Sequence, residues 1–238
     1  VMTAGLATVS GVVLVLYATI LEPILPGATS HIVTASVISL PAALLIARVM
    51  IPSSASSADA DEDLNSLSYD SSLDAVVQGT MDGMKLYLAI IAILIVVFAF
   101  VSLGNQMLGL LPDVTGTALT IDRIFGWLFA PIVLLFGIPP GEALAAGQLM
   151  GTKAVLNEFV AYQALAGLDP GVLSPRSTLI MTYALCGFAN LASVGMLVSV
   201  IGTLAPDNRS AALSLGMKAW VAGNLATGMT GAVIGLVS

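Results

Sequence analysis

Residues 151–162 read GTKAVLNEFVAY, which puts Lys153, Asn157 and Glu158 inside a strongly apolar stretch. A charged side chain at bilayer depth costs on the order of 2.5 to 3.5 kcal/mol by insertion scales, so it persists with a partner or beside a water-filled cavity. Two roles for Glu158 follow. Either Lys153 or Asn157 satisfies it structurally, or its carboxylate accepts hydroxyl donors from a ligand where the helix unwinds. Lys153 lies five residues before Glu158, a spacing that does not bring the two onto one face of an unbroken helix. Further along, Asn190 and Ser193 are three apart and share a helical face. They could tie two helices together or line a polar site. Thr8, Ser10 and Gly11 pose the same choice, because small residues let helices approach and also loosen a helix enough to bare carbonyls to an ion.

Catalytic chemistry finds no support in the sequence. It contains no H-E-x-x-H, no G-x-S-x-G, no phosphate-binding G-x-x-x-x-G-K-[ST], and a single histidine and a single cysteine. No enzyme activity and no cofactor are expected, and the work must be driven by a gradient or another subunit. Cys186 alone forms no disulfide within the chain.

The elements that position these residues are membrane helices. Of 238 residues, 58% are hydrophobic and 9% charged, and the mean hydropathy is +1.02, a composition that expects lipid as solvent. Of the 14 acids behind the net charge of −7, the densest group crowds into residues 53–74, a solvated loop. No nucleic-acid partner is expected. A crossing needs about 20 apolar residues. Runs of that order occupy 1–21, which closes at EPILPG, then 31–51, 85–111, 176–205 and 210–237. Residues 72–84 read as an amphipathic interfacial helix following the acidic loop, and 119–138 as a second helix along the surface, led by Asp122 and Arg123 and interrupted by Pro131. The segment 140–168, broken by Gly141, Gly147, Gly151 and Gly167, reads as two short helices folded into a re-entrant hairpin. His31 reads as a solvated cap. Arg48 and Lys85 flank the acidic loop and mark its side as cytoplasmic, and Trp127 and Trp220 read as interface anchors. GLAT at 5–8 echoes GFAN at 187–190, each in a span followed by a partner span. Val1 already lies in an apolar run without a charged leader, so the chain is read as cut on its N-terminal side.

AAGQLMGTKAVLNEFVAY, followed by SPRSTLIMTYALCGFANLASVGMLVSVIGTLAP, resembles the C-terminal half of the concentrative nucleoside transporters, and VMTAGLATVSGVVLVLYA with TASVISLPAAL resembles the helices before it. The resemblance implies an all-α polytopic membrane protein, an inverted-repeat transporter fragment with a re-entrant helical hairpin. On that basis 1–51 holds two helices of the first repeat, 52–84 the acidic loop and interfacial helix, 85–111 a scaffold helix, and 176–238 two helices of the second repeat. It further implies a homotrimer in a cell membrane, inner or plasma, that carries a nucleoside together with sodium or protons. Glu158, Asn190 and Ser193 match positions that hold the ribose. Phe188 matches an aromatic contact to the base and Val13 an apolar one. Thr8 by its hydroxyl and Val9 by its carbonyl match the sodium positions. Thr8 stands where sodium-coupled relatives have serine, and the G-Q-T-E-like first hairpin of the family is absent from this sequence. A non-transporting gate or scaffold module, and a carrier for another polyol-bearing solute, remain alternatives.

Overall fold

The computed structural model describes residues 1–52, 70–113 and 116–238. Most of the acidic loop therefore lies outside the described residues. Ten α-helices follow in order: α1 (Met2–Ala7), α2 (Gly11–Leu21), α3 (Ala28–Met50), α4 (Ser72–Leu108), α5 (Ile121–Leu134), α6 (Ala143–Val155), α7 (Glu158–Ala166), α8 (Pro175–Leu185), α9 (Leu191–Leu204) and α10 (Arg209–Val237). Side chains set several of the starts. Thr120, Asn157, Ser174 and Asn190 each accept from a backbone N–H three residues on, satisfying donors that a helix N-terminus otherwise leaves bare. Among the described residues, four stretches are long and apolar enough to cross a bilayer: Met2–Leu21, Ala28–Met50, Ser72–Leu108 and Pro206–Val237.

Three spans differ from the sequence expectation. Residues 1–21 are two half-helices separated by extended backbone at Thr8 and Ser10. Residues 176–205 divide the same way around Cys186–Asn190. Each broken pair is followed by a long helix, α3 in one half and α10 in the other. The third difference is a join: 72–84 and 85–111 are one continuous 37-residue helix, α4. No proline separates them, and helix propagates through Gly79 and Gly83, which alone do not stop it. At 1.5 Å per residue α4 is about 55 Å long, well beyond a hydrocarbon core of roughly 30 Å. None of its residues is buried.

The rest of the chain packs on itself. A core of Tyr17, Leu21, Ile32, Val133, Met150, Tyr162, Met181 and Leu185 joins α2, α3, α5, α6, α7 and α8. Pro131 lies within α5 without ending it, and α5 lies directly against α6. A Cβ on Gly147 would stand 2.5 Å from the Gly126 carbonyl oxygen, and one on Gly151 would stand 2.8 Å from that of Asp122. The two backbones touch because the residues four apart on α6 have no side chain, the close-approach device of membrane helices. This packing sets the expected effect of Gly147→Ala. Helix propensity would gain about 1 kcal/mol, but overpacking against backbone costs about 1 to 3 kcal/mol. We expect a lower melting temperature in detergent, read by size-exclusion thermostability, because the clashing atoms are main chain and cannot swing away.

Other polar residues find partners inside the fold. His31 lies within the first turns of α3, half-buried, its Nδ1 3.0 Å from the Tyr183 hydroxyl and its ring edge-on to that tyrosine, so it is not a solvated cap. Trp220 donates from Nε1 to the Ala154 carbonyl at 3.2 Å and thus secures the C-terminus of α6. Trp127 is exposed, with the Arg123 guanidinium 5.5 Å from its ring centre.

Candidate functional site

The site forms where the α6–α7 turn meets the break between α8 and α9. Leu156 and Asn157 interrupt the helix, and the Asn157 side chain accepts from Val160 N at 2.9 Å. Asn157 is therefore spent on starting α7 and makes no bond to Glu158. Glu158 follows as the first residue of α7, 4% exposed. Its Oε1 accepts from the Tyr17 hydroxyl at 2.6 Å and its Oε2 from Asn190 Nδ2 at 3.0 Å.

Lys153 does not pair with it. Among the described residues the one ion pair is Lys85 with Asp82. The Lys153 ammonium, fully buried, donates to the Ala184 carbonyl at 3.0 Å and to the Thr227 hydroxyl. A cation is well placed beside the last carbonyls of α8, where the helix leaves partial negative charge. The structural explanation for Glu158 weighed from the sequence, satisfaction by Lys153 or Asn157, is thus replaced by donors from α2 and from the α8–α9 break.

Asn190 works at both ends of its amide. Nδ2 reaches Glu158 while Oδ1 accepts from Ser193 N at 2.8 Å and begins α9. Ser193 is 5% exposed, and its hydroxyl has no hydrogen-bond partner among the described residues. A buried unpaired hydroxyl costs about 1 to 3 kcal/mol, which makes Ser193 a candidate ligand contact. Ser193 lines a cavity of about 210 Å³ together with Gly5, Leu6, Phe188 and Met196. Hydrogen bonds thus link Glu158 to Asn190 and Asn190 to Ser193, while Ser193 and Phe188, but not Glu158 or Asn190, line the cavity.

Val13 lies one turn from Tyr17 on α2, on the same face, and packs half-buried against the core. Thr8 and Val9 lie in the other break. The Thr8 hydroxyl donates to the Ala4 carbonyl at 3.0 Å and Val9 N donates to Ser36 Oγ at 3.3 Å. No described residue donates a hydrogen bond to the Thr8 or Val9 carbonyl. The two breaks also touch: a Cβ on Gly187 would stand 2.9 Å from the Ala7 carbonyl oxygen. Sequence reasoning missed Tyr17, which lies 141 residues from the glutamate it binds.

A helical membrane protein with two broken spans, a short-helix pair carrying a buried carboxylate and an unpaired hydroxyl at the crossing has the build of a transporter. The sequence model described as Na+ dependent nucleoside transporter C-terminus matches residues 31–235, and the chain belongs to that family, one of transporters and not of enzymes. It is 35% identical to "Uncharacterized transporter YutK" of Bacillus subtilis (strain 168), over 99% of this chain and 58% of YutK. It is 33% identical to "Nucleoside permease NupC" of Helicobacter pylori, over 99% of this chain and 56% of NupC. The solved structure of CNTnw in an inward-facing substrate-bound state superposes with a TM-score of 0.76 at 34% identity, over 99% of this chain and 56% of CNTnw. The chain thus spans little more than half the length of these relatives.

Proposed function

We propose that this chain forms the substrate-holding part of an ion-coupled nucleoside symporter in a cell membrane, the inner or plasma membrane, assembled as a homotrimer. The observation that carries the reading is Glu158: a buried carboxylate held by Tyr17 and Asn190, where Asn190 is also bound by the backbone of Ser193, whose buried hydroxyl is unpaired among the described residues and lines a cavity. Ribose hydroxyls are donors, and a carboxylate accepts charge-assisted hydrogen bonds with both oxygens. Asn190 and Ser193 complete the sugar contacts, while Phe188 and Val13 contact the base. Thr8 and Val9 offer a hydroxyl and carbonyl oxygens, the hard donors that sodium takes, at the bared backbone of the first break. Segment 140–168 acts as the re-entrant hairpin. The exposed length of α4 supports a scaffold against neighbouring subunits, with the packed remainder as the moving part.

The coupling ion supplies the energy. One positive charge moving down 100 mV releases about 2.3 kcal/mol, roughly fiftyfold accumulation per ion. The test is uridine uptake by the complete gene product with sodium replaced by choline at fixed pH, then with pH varied at fixed sodium. Uptake that collapses in choline identifies sodium, and uptake that follows the proton gradient identifies protons. Uptake indifferent to both, or not competed by other nucleosides, overturns the proposal.

A further inference from the structure

We infer that Tyr17 is a positioning residue for substrate recognition: its hydroxyl fixes the Glu158 carboxylate so that the free acceptor positions of both oxygens meet a cis-diol. The inference rests on the reading of Glu158 as the sugar-binding group.

The geometry is specific. Tyr17 is 1% exposed and Glu158 4%. The Tyr17 ring is set by its tilted contact with Tyr162, whose centroid is 5.0 Å away, and the Tyr162 hydroxyl is itself tied to the Thr182 carbonyl at 2.8 Å. The donor that reaches Oε1 is therefore held from behind by a second aromatic and a third helix. Asn190 reaches Oε2, and its own orientation is fixed by the Ser193 N–H. One side-chain donor thus engages each carboxylate oxygen, and a carboxylate accepts about four hydrogen bonds in all. The positions left over, one on each oxygen, suit two adjacent hydroxyls of one sugar. With a single donor in place the carboxyl group could rotate about its terminal torsion, which is broad and roughly two-fold, and paired recognition would be lost. Tyr17 comes from the first broken span, whereas Glu158 and Asn190 belong to α7 and the second break. The bond at 2.6 Å therefore also makes sugar recognition depend on the two halves being packed together.

The experiment compares uridine with 2′,3′-dideoxyuridine, which lacks both hydroxyls, as competing substrates in the complete gene product and its variants. Tyr17→Phe keeps the ring contact with Tyr162 and removes the donor. We expect the preference for uridine over the dideoxy analogue to fall about tenfold, the worth of a hydrogen bond to a charged group, mainly through the uridine KM. An unchanged preference, or an equal loss for both substrates, overturns the inference. Should Tyr17→Phe fail to reach the membrane, 3-fluorotyrosine at position 17 preserves the side chain's shape. Its fluorine resonance is expected to shift on adding uridine and to stay fixed with the dideoxy analogue, and an equal response to both overturns the inference. The underlying reading fails differently: Glu158→Gln would then leave uptake intact, or the unaltered protein would not distinguish the two substrates.

Discussion

Glu158→Gln is expected to cut uridine uptake by a factor of a hundred or more while leaving the protein folded. The fold tolerates the change because glutamine can face both neighbours. Its oxygen accepts from Asn190 Nδ2, and its amide nitrogen donates to the Tyr17 hydroxyl, which turns from donor to acceptor. What disappears is the charge and one acceptor edge. Each hydrogen bond to a charged group is worth about 1.5 to 3 kcal/mol, so two ribose hydroxyls lose roughly 3 to 6 kcal/mol, or about 10² to 10⁴ in affinity. The measurement is uptake normalised to protein in the membrane, with monodispersity in detergent as the control for folding. Uptake near that of the unaltered protein would take the glutamate out of the site.

Glu158 was legible in the sequence because a charge among apolar residues is expensive and therefore informative. Asn190 and Ser193 were legible as a pair by spacing alone, although the arrangement is a cap and not two groups on a regular helix: Asn190 ends the break and Ser193 N–H is its acceptor's donor. The breaks themselves were hidden. Hydropathy averages over a window, and Thr8, Val9 and Ser10 contain neither proline nor charge, so 1–21 reads as one span although the backbone is extended at Thr8 and Ser10. The GLAT and GFAN echo came closest, since the first closes α1 and the second occupies the gap after α8. Residues 72–84 misled in the other direction. Asp74, Gln78 and Asp82 recur every four residues and make a polar stripe, yet a stripe does not require an end, and α4 continues through Lys85. The spacing of Lys153 and Glu158 argued against a pair, but nothing local says that the ammonium reaches Ala184 and Thr227. Tyr17 looks like any aromatic on an apolar helix, and its role exists only in three dimensions.

Gly187→Ala is expected to damage both stability and transport, because this glycine is where the two broken spans meet. Its φ of +155 lies where side chains are rarely tolerated, and the space is closed as well. The added Cβ would stand 2.7 Å from Thr227 Cγ2, 2.9 Å from the Ala7 carbonyl oxygen and 3.0 Å from its carbon. Thr227 cannot turn aside freely, since its hydroxyl takes the Lys153 ammonium and donates to the Asn224 carbonyl. Overpacking of this kind costs about 1 to 3 kcal/mol, and here the displaced atoms belong to the end of α1, next to Thr8 and Val9. We expect uptake to fall by tenfold or more and the melting temperature to drop, whereas Gly141→Ala, whose Cβ would meet nothing within 4 Å, changes neither. Thr227→Ser removes the Cγ2 methyl and keeps the hydroxyl for Lys153, so combining it with Gly187→Ala relieves one clash and leaves the other. Partial recovery of melting temperature in the double variant, with uptake still depressed, separates the side-chain clash from the contact with the Ala7 backbone. Full recovery of uptake would mean that the apposition of the two breaks does not matter for transport.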